Sequence, residues 1–179
     1  MSEFSRFPAP VDDGGAAGLE GKRLPGIELA STSGSTVDLS RVGGTLVLYV
    51  YPHATGTTDM PAPGWAAIPG AIGCTAESCA FRDREASFQA LEASVMGLSA
   101  QSTDAQSDFA ARKDIKFPLL SDPDRKAHDA YGAWGDRPGR GEGVIRSTFL
   151  VDERGKIKNA WYGVKPEGHA KEVLDALKS

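Results

Sequence analysis

The sequence predicts a three-layer α/β domain with a mixed central sheet. In the middle of the chain, short apolar segments typical of buried strands alternate with helical segments, which favours parallel strands joined by crossover helices. Near the C-terminus, residues 147–162 carry the pattern of a β-hairpin, which adds antiparallel strands. A further hairpin pattern at residues 27–39 extends the sheet at its N-terminal side. A chain of 179 residues suffices for one such domain with its own core.

The individual elements are predicted from composition and periodicity. Residues 1–19 are rich in proline, glycine and aspartate and predict an extended arm, so the folded domain is expected to span residues 20–179. Residues 45–51 are apolar almost throughout, which predicts a central strand covered on both faces. Residues 132–143 are glycine-rich and predicted to be irregular. The other predicted elements are strands 27–30, 36–39, 94–99, 117–122, 147–152 and 156–162, and helices 75–91, 104–113, 124–131 and 169–177.

Composition and charge argue against several classes of function. The net charge of -4 gives no reason to expect nucleic acid or an anionic membrane as a partner. Two cysteines do not form the disulfide framework of a small secreted protein. Residues 1–10 lack a signal-peptide pattern, and no apolar run approaches the ~20 residues of a membrane span. The sequence therefore predicts a cytoplasmic protein without a membrane or nucleic-acid partner.

Both cysteines lie in one short segment, residues 73–83, with the spacing C-x4-C. The segment follows a long Pro/Gly-rich loop, and a loop of that size in a compact domain is usually functional. Cys74 falls near the predicted helix start, where free backbone N–H groups and the helix dipole favour an anion. That position predicts a lowered pKa and a nucleophilic thiolate at Cys74. Cys79 falls inside the helix.

The spacing of the two cysteines has a geometric consequence. In an intact helix, side chains five residues apart point ~140° away from each other, and their Cα atoms are roughly 8–9 Å apart. A disulfide requires Cα atoms about 4.4–6.8 Å apart. If Cys74 and Cys79 are redox partners, the first turns of the helix must unwind before they can bond.

Four separated motifs resemble one known family. The resemblance is to the bacterioferritin comigratory protein branch, also called Q-type, of the peroxiredoxins, and it extends from about Gly21 to the C-terminus. It implies a thioredoxin fold and thiol-dependent reduction of hydrogen peroxide and organic hydroperoxides, without a cofactor or a metal. The motifs are Gly73-Cys74-Thr75-x-Glu77-x-Cys79-x-Phe81-Arg82-Asp83, Gly97-Leu98-Ser99, Phe117-Pro118-Leu119-Leu120-Ser121-Asp122 and Arg146-Ser147-Thr148-Phe149-Leu150-Val151-Asp152.

The resemblance also implies roles for single residues. Cys74 would be the peroxidatic cysteine, oxidised by the peroxide to a sulfenic acid, and Cys79 the resolving cysteine, which forms an intramolecular disulfide with it. A thioredoxin-type dithiol would then reduce that disulfide. Arg146 matches the arginine that supports the thiolate and peroxide charge, and Pro52 the proline that shields the active-site loop. Resolution within one chain requires no dimer, so a monomer is expected.

One position departs from the family pattern. The family usually has a threonine three residues before the peroxidatic cysteine, and this sequence has Ala71 there. Thr55 lies close to the usual distance from the family's proline and is the first candidate for that role, with Thr57 and Thr58 as rivals. The intervening residues 56–71 then have the character of an insertion.

Other interpretations of the cysteines predict different behaviour. A thioredoxin-like disulfide oxidoreductase would normally carry C-x2-C, whose spacing bridges without unwinding a helix. A redox sensor would oxidise once without sustained consumption of peroxide. A zinc site needs about four ligands, and the three histidines are scattered along the chain. Glu77 is either an ordinary first-turn carboxylate or a group that orients Arg146.

Overall fold

The computed structural model describes residues 18–54, 64, 73–137 and 141–179, with the backbone alone at 136, 137, 141 and 142. Nearly all of the predicted N-terminal arm therefore lies outside the described residues. The same holds for the three candidate threonines, for Ala71 and for all but one residue of the segment 56–71.

Within the described residues, seven strands form one mixed sheet. In chain order they are β1 (Glu28–Ser31), β2 (Thr36–Asp38), β3 (Thr45–Val50), β4 (Ala93–Ser99), β5 (Leu119–Ser121), β8 (Ser147–Val151) and β9 (Ile157–Tyr162). A separate two-stranded ribbon contains β6 (Trp134–Arg137) and β7 (Gly141–Val144). The order across the large sheet is β2-β1-β5-β4-β3-β8-β9.

The strand directions bring several chain segments to one edge of the sheet. β3, β4 and β5 are parallel, whereas β8 runs antiparallel to β3. Val50, the last residue of β3, pairs with Leu98 near the end of β4 and with Ser147 at the start of β8. The residues that follow β3 and β4 therefore meet the residue that precedes β8, Arg146, at the same edge.

Helices cover both faces of the sheet. They are α1 (Cys74–Asp83), α2 (Glu85–Ala90), α3 (Thr103–Lys113), α4 (Lys126–Ala130) and α5 (His169–Lys178). Alternate residues of β3 enter two cores, because side chains along a strand point to opposite faces. Tyr49 packs with Phe81, Phe109 and Val173 of α1, α3 and α5. On the other face, Leu48 belongs to the core that includes α4. This arrangement confirms the predicted three layers and the central position of β3.

Two local predictions were wrong. The helix predicted at residues 75–91 begins at Cys74 and is interrupted at Arg84, whose backbone (φ -109°, ψ 4°) leaves the helical region. Residues 132–143, predicted to be irregular, contain most of the β6–β7 ribbon. In that segment the glycines weaken any local strand signal, and pairing such as that of Trp134 with Val144 decides the structure.

Candidate active site

Cys74 meets the loop that follows β3 at the carboxyl edge of the sheet. The His53 backbone N–H donates to the Cys74 Sγ atom, with N and Sγ 3.4 Å apart. Gly73, immediately before α1, has a left-handed φ of 108°, which favours glycine and turns the chain into the helix. Pro52, next to His53, is buried at the same place. The structure thus brings Cys74 together with the backbone beside Pro52.

The Arg146 side chain, from the residue that precedes β8, contacts the same sulfur. Its Nη2 atom lies 3.2 Å from Cys74 Sγ, and its Nη1 atom donates to Glu77 Oε2. All three side chains are buried, with relative exposures of 3% for Cys74, 2% for Arg146 and 0% for Glu77. A buried guanidinium is stable only when it is paired and hydrogen-bonded, and Glu77 supplies that pairing. Of the two alternatives for Glu77, the structure therefore supports the one in which it orients Arg146.

The protonation of Cys74 depends on opposing effects. Burial raises the pKa of the Cys74 thiol, whereas the Arg146 guanidinium and the His53 N–H act to lower it and the Glu77 carboxylate adds to the rise. The balance is a raised pKa, so the lowered value predicted from the helix start is wrong. The effect of burial on the pKa outweighs that of the cation and the N–H donor, and burial cannot be inferred from helix position alone.

The charge of Arg146 responds to the same neighbours. Burial alone would lower the pKa of Arg146, but the negative charges of Cys74 and Glu77 more than compensate, so the pKa is raised and the guanidinium stays charged. A permanent cation therefore lies within hydrogen-bonding distance of the sulfur. Such a cation stabilises a thiolate and any negative charge that develops on an oxygen bound next to it.

Comparison with known proteins identifies the family. Residues 67–160, more than half of the chain, match the AhpC/TSA family. Peroxiredoxin Bcp of Bacillus subtilis is 36% identical over 162 residues, which cover 88% of this chain and 94% of that protein. This chain is a peroxiredoxin. Peroxiredoxin Bcp of Escherichia coli K12 is 31% identical over 88% of this chain and 94% of its own length.

Solved structures agree on the branch and on the fold. Peroxiredoxin Q of Xanthomonas campestris superimposes with a TM-score of 0.73 at 30% identity, covering 89% of this chain and 96% of that one. A structure of the bacterioferritin comigratory protein of the same organism, from work on its alkyl peroxide reduction activity, has a TM-score of 0.73 at 29% identity and covers 89% and 97%. The predicted thioredoxin fold and the resemblance to the Q-type branch are confirmed. The peroxiredoxin is a thiol peroxidase, which reduces hydroperoxides with electrons from a thiol.

Cys79 lies inside α1, half-buried, and both cysteines are free thiols. The helix between them is intact in this reduced form of the peroxiredoxin, and among the described residues two polar side-chain contacts tie the helical residues between the cysteines to the rest of the domain. One is the Arg146–Glu77 pair, and the other is the hydrogen bond from Tyr49 Oη to Ser78 Oγ, at 3.0 Å. Unwinding of α1 to form a disulfide remains a prediction, and it would break both contacts.

Two groups at the Cys74 site, the His53 backbone N–H and the Gln101 side chain, were not predicted from the sequence. The His53 donor is a backbone N–H, which every residue except proline carries, so no side-chain signal could reveal it. Gln101 accepts a hydrogen bond from the Ala54 N–H, at 2.8 Å, although it lies 47 residues further along the chain. The sequence does show that Gln101 is a polar residue just after the buried strand β4. Its contact with the loop after β3 could be predicted only once the strand order, in which β3 and β4 are neighbours, was known.

The described parts of the peroxiredoxin contain neither a metal-binding cluster nor a membrane-spanning helix. No group of three or more His, Cys, Asp and Glu residues there could hold a metal ion. Within the same residues, no helix has the length and apolar character needed to cross a membrane.

Proposed function

We propose that Cys74 is the peroxidatic cysteine of this peroxiredoxin and that it reduces both hydrogen peroxide and organic hydroperoxides. The observation that carries the proposal is the buried Cys74 sulfur, 3.2 Å from the Arg146 guanidinium. The thiolate attacks one peroxide oxygen and the O–O bond breaks. One oxygen stays on sulfur as a sulfenic acid, and the other leaves as hydroxide or alkoxide and takes up a proton.

The surroundings of Cys74 suit this step. Arg146 has five N–H donors in a fixed plane, and two of its nitrogens already bind Cys74 and Glu77. As negative charge moves from sulfur to the leaving oxygen, the same cation can stabilise both atoms without moving. We include Pro52 as the residue that shields the sulfur and Thr55 as the hydroxyl that binds the peroxide. Organic hydroperoxides are included because the X. campestris relative was studied for alkyl peroxide reduction.

We assign the resolving role to Cys79. It is the only other cysteine in the sequence, and it lies on the same helix as Cys74. Its sulfur displaces the sulfenic oxygen of Cys74, so a disulfide forms and water leaves. A thioredoxin-type dithiol then reduces the disulfide and restores both thiols. Because the cycle closes within one chain, a monomer suffices for activity.

Peptide mapping after oxidation tests the assignment. One equivalent of hydrogen peroxide added to the fully reduced protein is expected to remove two hydrogens from the intact mass and to link Cys74 to Cys79. Adding thioredoxin, its reductase and NADPH should then give sustained consumption of peroxide. A mass that stays unchanged with two free thiols would refute the proposal. A single oxidation without turnover would indicate a redox sensor in place of a peroxidase.

Amide hydrogen exchange tests the predicted unwinding of α1. In the reduced protein, the amides of residues 77–83 should be protected by helical hydrogen bonds, whereas the disulfide form should lose most of that protection. The loss follows from the Cα separation, which an intact helix keeps beyond disulfide range. Helix α3 (Thr103–Lys113), which contains no cysteine, is the internal control and should exchange equally in both forms. Equal protection of α1 in both redox states would contradict the unwinding.

A further inference from the structure

We propose that Gln101 is a positioning residue for Cys74 and that its side-chain oxygen holds the backbone that donates to the sulfur. The inference rests on the proposed peroxidatic role of Cys74. The Ala54 N–H donates to Gln101 Oε1, with the two atoms 2.8 Å apart. The neighbouring His53 N–H donates to Cys74 Sγ, at 3.4 Å. The two hydrogen bonds therefore fix consecutive peptide groups of the same loop.

The planarity of the peptide bond makes this coupling direct. The His53 N–H belongs to the peptide plane that joins Pro52 to His53, and the Ala54 N–H belongs to the next plane. Only the φ and ψ rotations of His53 separate the two planes. With the second plane held by Gln101, the first has little freedom to rotate its N–H away from Cys74.

Gln101 is itself held firmly at the carboxyl edge of the sheet. Its backbone N–H donates to Ser99 Oγ at 3.1 Å, and its carbonyl accepts from Gln106 Nε2 at 3.4 Å. Gln106 also donates to the Leu120 carbonyl at 2.9 Å and to Ser121 Oγ at 2.7 Å, which ties this segment to β5. Gln101 therefore links the loop that borders the sulfur to β4 and β5, and this link restricts the movement of the loop.

The two ends of the Gln101 amide differ in their bonding. Oε1 accepts from Ala54, whereas Nε2 is buried without a hydrogen-bond partner among the described residues. The Gln101 side chain is only 6% exposed, so an unpartnered donor there is unfavourable. A residue that served packing alone would not need this amide. The acceptor oxygen is the part of the side chain that the loop uses.

Substitution of Gln101 by methionine separates positioning from packing. Gln101→Met keeps the approximate volume and removes the acceptor oxygen. We expect the second-order rate constant for oxidation of Cys74 to fall about 10-fold, less than the loss for a donor that contacts the reacting atoms. The His53 N–H lowers the pKa of Cys74, so its loss should also shift the rise of the rate to higher pH. Stopped-flow measurement of the first oxidation across a pH series gives both values.

Two further variants complete the experiment. Gln101→Glu keeps an acceptor oxygen in either protonation state and should recover most of the wild-type rate at high pH. Thr32→Val is the matched control, because it removes the acceptor of a part-buried hydrogen bond from the Leu119 N–H at the start of β5 and leaves the hydrogen bonds that hold Gln101 in place. Its oxidation rate should equal that of wild type.

The outcomes separate this inference from the proposed function. Wild-type rate and pH dependence in Gln101→Met would overturn the positioning role, as would an equal slowing in Thr32→Val. If Gln101→Met does not fold, Gln101→Asn carries the same expectation, because its oxygen is withdrawn by one methylene. Failure of the proposed function would appear elsewhere, as a wild-type protein whose Cys74 does not react with peroxide.

Discussion

Replacement of Cys74 by serine is expected to abolish the reaction with hydroperoxides. A serine hydroxyl does not ionise under the conditions in which a thiol does, and it cannot form the sulfenic acid. The rate constant should fall by roughly 10³-fold or more, to the level of the uncatalysed reaction. Competition with a second peroxidase for a limiting amount of hydrogen peroxide measures the remaining rate. Folding is checked by circular dichroism, since one atom changes in a buried site.

The matched variant is Cys79→Ser, which tests the division of roles. It should react with the first equivalent of peroxide at nearly the wild-type rate, because the described partners of the Cys74 sulfur are His53 and Arg146. Its sulfenic acid should persist and be open to over-oxidation to the sulfinic acid, a gain of two oxygens on Cys74 in the intact mass. If Cys79→Ser reacted no faster than Cys74→Ser, the assignment of the two cysteines would be wrong.

Removal of the Arg146 charge should give the second largest effect. Loss of one preorganised donor at a developing charge typically costs a factor of about 10²–10³ in rate, and we expect that range for Arg146→Gln. The pKa of Cys74, already raised by burial, should rise further because Arg146 is the largest effect that lowers it. At neutral pH the thiolate fraction therefore falls, and the increase of rate with pH moves to higher pH. Stopped-flow oxidation across a pH series measures both changes.

Because Arg146 is paired with the buried Glu77 carboxylate, the Arg146→Gln experiment needs control variants that account for this pair. In Arg146→Gln the buried Glu77 carboxylate loses its cation, and breaking a buried pair in this way typically costs about 3–5 kcal/mol of stability. The double variant Arg146→Gln with Glu77→Gln removes the unpaired charge, so it should regain stability without regaining the rate. Arg146→Lys keeps the charge but cannot bind sulfur and carboxylate with one planar group. A rate and pH profile equal to wild type in Arg146→Gln would contradict the electrostatic role.

The sequence by itself determined the fold class, the family and most of the residues brought to the site. The apolar segment 45–51 and the hairpin at 147–162 carry strong local signals, because buried strands and tight turns restrict residue type. The motif around Cys74 and Cys79 and the arginine before β8 could be identified because they match motifs of the Q-type peroxiredoxins. The candidate threonines remain predictions, as they lie outside the described residues.

Only the tertiary structure decided the direction of the Cys74 pKa shift and the hydrogen bonds that position the groups around the sulfur. Whether the thiol pKa is raised or lowered depends on how deeply the sulfur is buried and which charges face it, and both come from distant segments. Glu77 could be an ordinary first-turn carboxylate until Arg146, 69 residues later, was placed against it. Gln101 and the His53 N–H act through contacts that span 47 and 21 residues. Such contacts exist because parallel strands bring their carboxyl ends to one edge of the sheet. Local sequence patterns do not predict which distant segments become neighbours there.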